Sequence, residues 1–172
     1  MKKHRFYFLF SLLLVITLSC SDHDGDPTTV AEMDRDFMVK AADGNMFEIM
    51  AGEIAEKKAL TDSVKAYGHH MVMDHSMATQ ELMALASKKT VTLPTGLSAA
   101  KQLKIDSLNA LNGINFDKTY MTMMVASHVE TISLFEMEAS GGVDQEVKSW
   151  AAGKLPTLKH HLDKAEKVKS AL

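Results

Sequence analysis

The sequence is poor in the residues that build most small disulfide-stapled or all-β domains. It holds one cysteine in 172 residues, which excludes an intrachain disulfide framework and any CxxC zinc site. Three prolines, nine glycines and 6% aromatic residues argue against a β-sandwich, a collagen-like chain or a disordered tail. No GxSxG elbow or glycine-rich phosphate loop is present, so nucleophilic hydrolysis and nucleotide binding have no support. Nor is there a basic excess: the formal net charge is −3. What is abundant is apolar, helix-compatible material. Residues of hydrophobic type make up 46%, with thirteen methionines and many alanines, as expected for one globular domain of helices packed on helices.

Residues 1–20 read as a leader. Lys2, Lys3 and Arg5 precede the apolar run Phe6–Leu18. That run is too short for a transmembrane helix, which needs about 20 residues, but suits a signal-peptide core. It ends in Thr17-Leu18-Ser19-Cys20, which resembles a bacterial lipoprotein signal with Cys20 as the lipidated residue. Thr17 departs from that pattern, where Leu or Val is usual. The alternative is an ordinary secretory leader with a spectator cysteine, and both imply export, the lipidated form to the cell envelope. Removing the three basic residues of the leader takes the net charge from −3 to −6. Such an acidic domain is a poor partner for nucleic acid, so contact with the membrane is expected only through acyl chains on Cys20. Residues 21–30 are acidic and carry Gly25 and Pro27, which reads as a flexible tether. They are also similar in composition to the surface-export signals of some Bacteroidetes lipoproteins.

Residues 31–172 are expected to form an all-α domain. Long helices are predicted over Glu32–Leu60, from Thr61 or Asp62 to Lys89, over Phe116–Ala139, and from near Asp144 to the C-terminus with a kink at Pro156. A short helix over Ser98–Leu111, apolar at Leu103, Leu108 and Leu111, lies between the second and third. Four long helices with one long middle connection describe a four-helix bundle, either with a ferritin-like crossover or in plain up-down-up-down order.

Helical residues advance about 100° each, so every apolar stripe has a centre. His75 is central on the second long helix and His128 on the third, whereas Glu48 is central on the first among small neighbours. On the fourth, His161 lies toward one flank of the stripe, while His69, His70 and His160 point outward. Counting from a turn near Leu60–Thr61 brings Glu48 and His75 to the same depth. A turn at Gly141–Gly142 sets His161 about six residues deeper than the partner of His128, roughly 9 Å at 1.5 Å per residue. Glu48, His75 and His128 are therefore the expected polar centre, and His161 is a further candidate ligand set apart in depth.

A buried carboxylate and buried imidazoles need partners. One reading is a hydrogen-bonded network that only fixes helix packing. The other is a site for a single transition-metal ion, Zn, Fe or Cu, held by inward-facing side chains. Met71 and Met124 each precede a central histidine by four residues, a spacing compatible with a copper thioether ligand and also with core filling. The Glu-x-x-His motif of di-iron ferritins is absent, since Val72 and Leu158 stand three residues before His75 and His161. A peroxide-handling or redox metalloenzyme is the least supported reading.

The ordered set Asp36-Phe37, Ala41-Ala42, Gly44-Asn45, Glu48, Val64-Lys65, Met71, Asp74-His75, Phe116-Asp117, Tyr120, His128, Leu155-Pro156 and His161-Leu162 resembles the exported bacterial ferritin-like family catalogued as domain of unknown function 4142. The likeness spans roughly Met33 to Val168. It implies a ferritin-like helical bundle in the cell envelope and no particular activity. Nothing in the chain alternates as the strands of an outer-membrane barrel do.

Overall fold

The computed structural model describes residues 30–172, so the expectations for the leader, Cys20 and the tether up to residue 29 lie outside the described residues. Val30, assigned by composition to the tether, instead packs half-buried against the domain core. The described chain is all-helical: α1 (Glu32–Lys58), α2 (Asp62–Lys88), α3 (Ala99–Asn109), α4 (Gly113–Gly141) and α5 (Gln145–Ser170). Most boundaries fall within two residues of expectation. The exception is α4, which starts at Gly113 with φ +58° rather than at Phe116. Asn112 stands at the N-cap position in extended conformation without a side-chain hydrogen bond, and Gly113 tolerates the left-handed φ without strain. In α3 the buried residues are Ile105 and Leu108, whereas Leu103 is 69% exposed. Pro156 is accommodated inside a continuous α5. Among the described residues no helix is long and apolar enough to cross a membrane.

Two buried aspartates set the helix directions. The Asp117 carboxylate, in the first turns of α4, accepts the N–H groups of Leu60 (2.9 Å) and Thr61 (2.8 Å) beyond the end of α1. At the opposite end, Asp34 near the start of α1 accepts those of Val143 and Asp144, both at 2.8 Å, beyond α4. Each aspartate satisfies donors that a helix connection would otherwise leave buried and unpaired. Together they make α1 antiparallel to α4. Lys89 at the end of α2 pairs with Asp144 at the start of α5 (2.5 Å), and the Asp74–His161 contact lies further along the same seam, so α2 and α5 are also antiparallel. The order is therefore up-down-down-up, and the segment between α2 and α4, including α3, crosses the length of the bundle.

Close packing of α1 on α2 depends on missing side chains. A Cβ on Gly52 would stand 2.7 Å from the Gly68 carbonyl oxygen, and one on Gly68 would stand 2.9 Å from the Ala55 Cβ. The apolar core is divided. One cluster, around Phe47, Ala55, Tyr67, Met71, Tyr120 and Met124, fills the end near the α1–α2 turn. The other, around Phe37, Met38, Leu82, Phe135, Val147 and Leu158, fills the end near the α4–α5 turn. Between them all four long helices present polar side chains to the interior: Asn45 and Glu48, His75, Ser127 and His128, and His161. Burying a polar layer between two apolar ones costs stability unless that layer has partners.

Candidate metal centre

Glu48 from α1, His75 from α2, His128 from α4 and His161 from α5 are 1%, 4%, 0% and 3% exposed. One ligand-capable nitrogen from each of the three histidines lies within 4.8 Å of the other two. Ring centroids are 5.8 Å apart for His75–His128, 5.6 Å for His75–His161 and 5.4 Å for His128–His161. Glu48 joins the cluster through its carboxylate: Oε2 is 2.5 Å from His75 Nε2, and Oε1 is 3.6 Å from His128 Nδ1.

Each imidazole is held from behind. His75 Nδ1 is 2.9 Å from Asn45 Oδ1, and His128 Nδ1 is 2.9 Å from the Met124 carbonyl one turn back in α4. His161 Nε2 is 2.8 Å from Asp74 Oδ2. For His128 and His161 the acceptor takes the N–H, which fixes the tautomer and leaves the opposite nitrogen with a free lone pair, whereas His75 stands between two acceptors, Asn45 Oδ1 and the Glu48 carboxylate. Those opposite nitrogens, His75 Nε2, His128 Nε2 and His161 Nδ1, are buried and have no hydrogen-bond partner. Glu48 Oε1 accepts from Ser127 Oγ (2.6 Å), whereas Oε2 is unpartnered. Glu48 Oε2 and His75 Nε2 approach to 2.5 Å without full hydrogen-bond alignment.

Electrostatics favour the ligand forms of two of these groups. Burial pushes the His161 pKa down to about 4, more than the Asp74 hydrogen bond pulls it up, so the ring is neutral near pH 7. For Glu48, burial alone would raise the pKa. Positive charge on the His128 and His75 rings, with hydrogen bonds from His75 and Ser127, outweighs that burial and holds the carboxyl below its ordinary range, and a cation among the same rings would act in the same direction. Three imidazole nitrogens and a carboxylate oxygen are a donor set for Zn, Fe or Cu. Two atoms bonded to one ion at ~2.1 Å each stand about 3–4 Å apart, so an adjustment of about 1 Å brings the three imidazole nitrogens to that span, with the Glu48 carboxylate beside His75 and His128.

His161 therefore does not lie at the separate depth expected of it. The estimate of 9 Å rested on a tight pivot at Gly141–Gly142. In the structure α4 continues to Gly141, and Gly142–Asp144 are spent crossing to α5. His128 lies 13 residues before the end of α4 and His161 lies 16 after the start of α5. Glu48 and His75 show the same offset, 10 residues before the end of α1 and 13 after the start of α2. Three residues of stagger amount to about 4.5 Å, within reach of an imidazole. His69, His70 and His160 are exposed as expected, and His69 pairs with Glu56 at 2.8 Å. Met71 and Met124 belong to the apolar cluster, and Met124 meets His128 through its carbonyl.

Pattern reading missed the supporting residues Asn45, Asp74 and Ser127. The signal for them is adjacency: Asp74 and Ser127 immediately precede His75 and His128, and Asn45 is three residues before Glu48 on the same face. It also missed Asp34 and Asp117 as connection caps. These head two similar runs, Asp34-x-x-Phe37-Met38 and Asp117-x-x-Tyr120-Met121, which begin the antiparallel helices α1 and α4.

Fold and cluster together define a helical-bundle protein with a buried imidazole–carboxylate layer. The chain belongs to the family described as domain of unknown function (DUF4142), whose signature matches residues 21–168. No curated protein matches it. Among solved structures, it is similar to a crystal structure of a DUF305 fragment from Deinococcus radiodurans. That likeness has 10% sequence identity and a TM-score of 0.73, and covers 84% of this chain and 99% of the other. At that identity the likeness concerns the fold alone.

Proposed function

We propose that this protein is an exported envelope lipoprotein, anchored through Cys20, whose ferritin-like four-helix bundle holds one transition-metal ion with His75, His128, His161 and Glu48. The observation that carries this reading is the set of three buried imidazoles from three helices, with one ligand-capable nitrogen of each within 4.8 Å of the other two and one nitrogen of each ring without an aligned hydrogen bond. A network serving only helix packing would pair those nitrogens with donors, because each buried unsatisfied group costs about 1–3 kcal/mol. A bound ion satisfies all of them at once. The up-down-down-up order with a long crossover supports the ferritin-like description. The acidic charge of the domain supports attachment by acyl chains rather than by its own surface, with no role for nucleic acid.

A second reading has one observation in its favour. The 2.5 Å Glu48–His75 approach becomes a hydrogen bond to a carboxylate if His75 carries its proton on Nε2 and the ring aligns. The layer would then be a packing device in a structural or interaction module. Elemental analysis of protein purified without chelators or an affinity tag separates the two. The metal reading expects one ion per chain, lost in His128→Ala. Sub-stoichiometric metal that is unchanged in His128→Ala would overturn it.

A further inference from the structure

The cluster is not equally buried on all sides. Glu48 and His128 face only the interior, whereas His75 and His161 also line a cavity of about 160 Å³ between α2 and α5. Its inner wall combines buried Asn45 with the apolar Ala78, Phe135 and Leu158, and its outer part carries Met77, Thr157, Lys154 and Glu81. The α2–α5 pair is the most sparsely packed of the four pairs of neighbouring long helices, and the cavity lies in that seam. The volume holds several waters or a ligand of a few heavy atoms.

We infer that a metal held by the cluster keeps a coordination position open toward this cavity and there takes small anionic oxygen or nitrogen donors of two or three heavy atoms, of the peroxide or azide kind. The inference rests on the metal reading above and adds what the metal meets. Four protein donors leave at least one position free on ions that take five or six ligands, such as Fe, Co and Cu. The free position faces the cavity because the protein donors on the other side, Glu48 and His128, are closed off by core packing.

Charge selects the ligand. A divalent ion with the single carboxylate of Glu48 leaves a net positive centre, which attracts anions in a poorly screened site. The acidic groups on the path do not reverse this. Asp74 is occupied by His161, while Glu81 pairs with Lys154 and accepts the Trp150 Nε1–H at 2.9 Å. Ala78 and Phe135 limit the size of what passes.

The test loads the protein with Co(II), whose visible bands report coordination, and titrates azide. A saturable change in those bands with cobalt still bound is expected. Thr157→Phe, an exposed site at the mouth of the cavity, should weaken azide at least tenfold with Co(II) affinity unchanged, and Ala78→Phe should do the same from inside. Bands that stay constant up to high azide on fully loaded protein would overturn the inference and leave the metal site standing. So would an equal azide response in the wild type and both folded variants. A chain that takes up no Co(II) would overturn both readings.

Discussion

If the cluster holds the proposed ion, removing it should soften the whole domain. Without an ion, the polar layer leaves Glu48 Oε2, His75 Nε2, His128 Nε2 and His161 Nδ1 buried and unpaired between two apolar clusters. At about 1–3 kcal/mol each, their combined cost rivals the 5–15 kcal/mol by which ordinary domains are stable. An ion present at 100 times its dissociation constant returns about 2.7 kcal/mol through linkage. For a domain of roughly this size, about 2–4 °C per kcal/mol converts that to a rise of about 5–11 °C in melting temperature. The assay is thermal unfolding followed by far-UV circular dichroism, on chelator-treated protein and on the same protein with metal restored. His128→Leu should abolish the difference, since it removes a ligand and replaces an unpaired nitrogen with apolar bulk. Equal melting temperatures with and without metal, in protein shown by elemental analysis to be loaded, would refute the reasoning.

Three further outcomes are expected. Asp74→Ala should weaken metal binding about 10–100-fold by freeing the ring of His161, which a competition titration against a chromophoric chelator would measure; an unchanged affinity would remove Asp74 from its supporting role. Gly52→Ala should destabilise by about 1–3 kcal/mol in urea unfolding, because its Cβ would sit 2.7 Å from the Gly68 carbonyl and 2.9 Å from Val72 Cγ2. Helix propensity alone predicts a gain of about 1 kcal/mol, so the sign decides. Glu138 has a folded-state pKa raised to about 7 by burial and by the Asp34 carboxylate beside it. Its contribution to stability is therefore fully present below pH 4.5 and is lost as pH rises through 7. Relative to Glu138→Gln, the wild type should lose on the order of 2 kcal/mol between pH 4.5 and pH 8, and parallel stability curves would contradict this.

How much of this was legible beforehand depended on the range of the interaction. The four long helices follow from local periodicity, and Glu48, His75 and His128 stand out because a charged or imidazole side chain at the centre of an apolar stripe is conspicuous. Small residues at Gly44, Ala51, Gly52 and Ala55 announced close helix approach, which Gly52 and Gly68 make. The direction of the crossover was not legible. It is set by Asp34 and Asp117 reaching connections more than fifty residues away, and a single stripe carries no trace of such contacts. The depth of His161 was misjudged for a related reason. Residues Gly142–Asp144 read as part of a tight turn, but they run across the end of the bundle because Asp34 binds two of their N–H groups. The supports Asn45, Asp74 and Ser127 become meaningful only once the rings they hold are known to converge.

The decisive measurement is anomalous diffraction at the absorption edge of the bound metal, on crystals of protein purified without chelators or tag. One peak should appear in the polar layer, about 2.0–2.2 Å from His75 Nε2, His128 Nε2 and His161 Nδ1. Loaded protein whose anomalous peak sits instead on the exposed His69–His70 pair, with none between the four helices, would contradict the proposed centre.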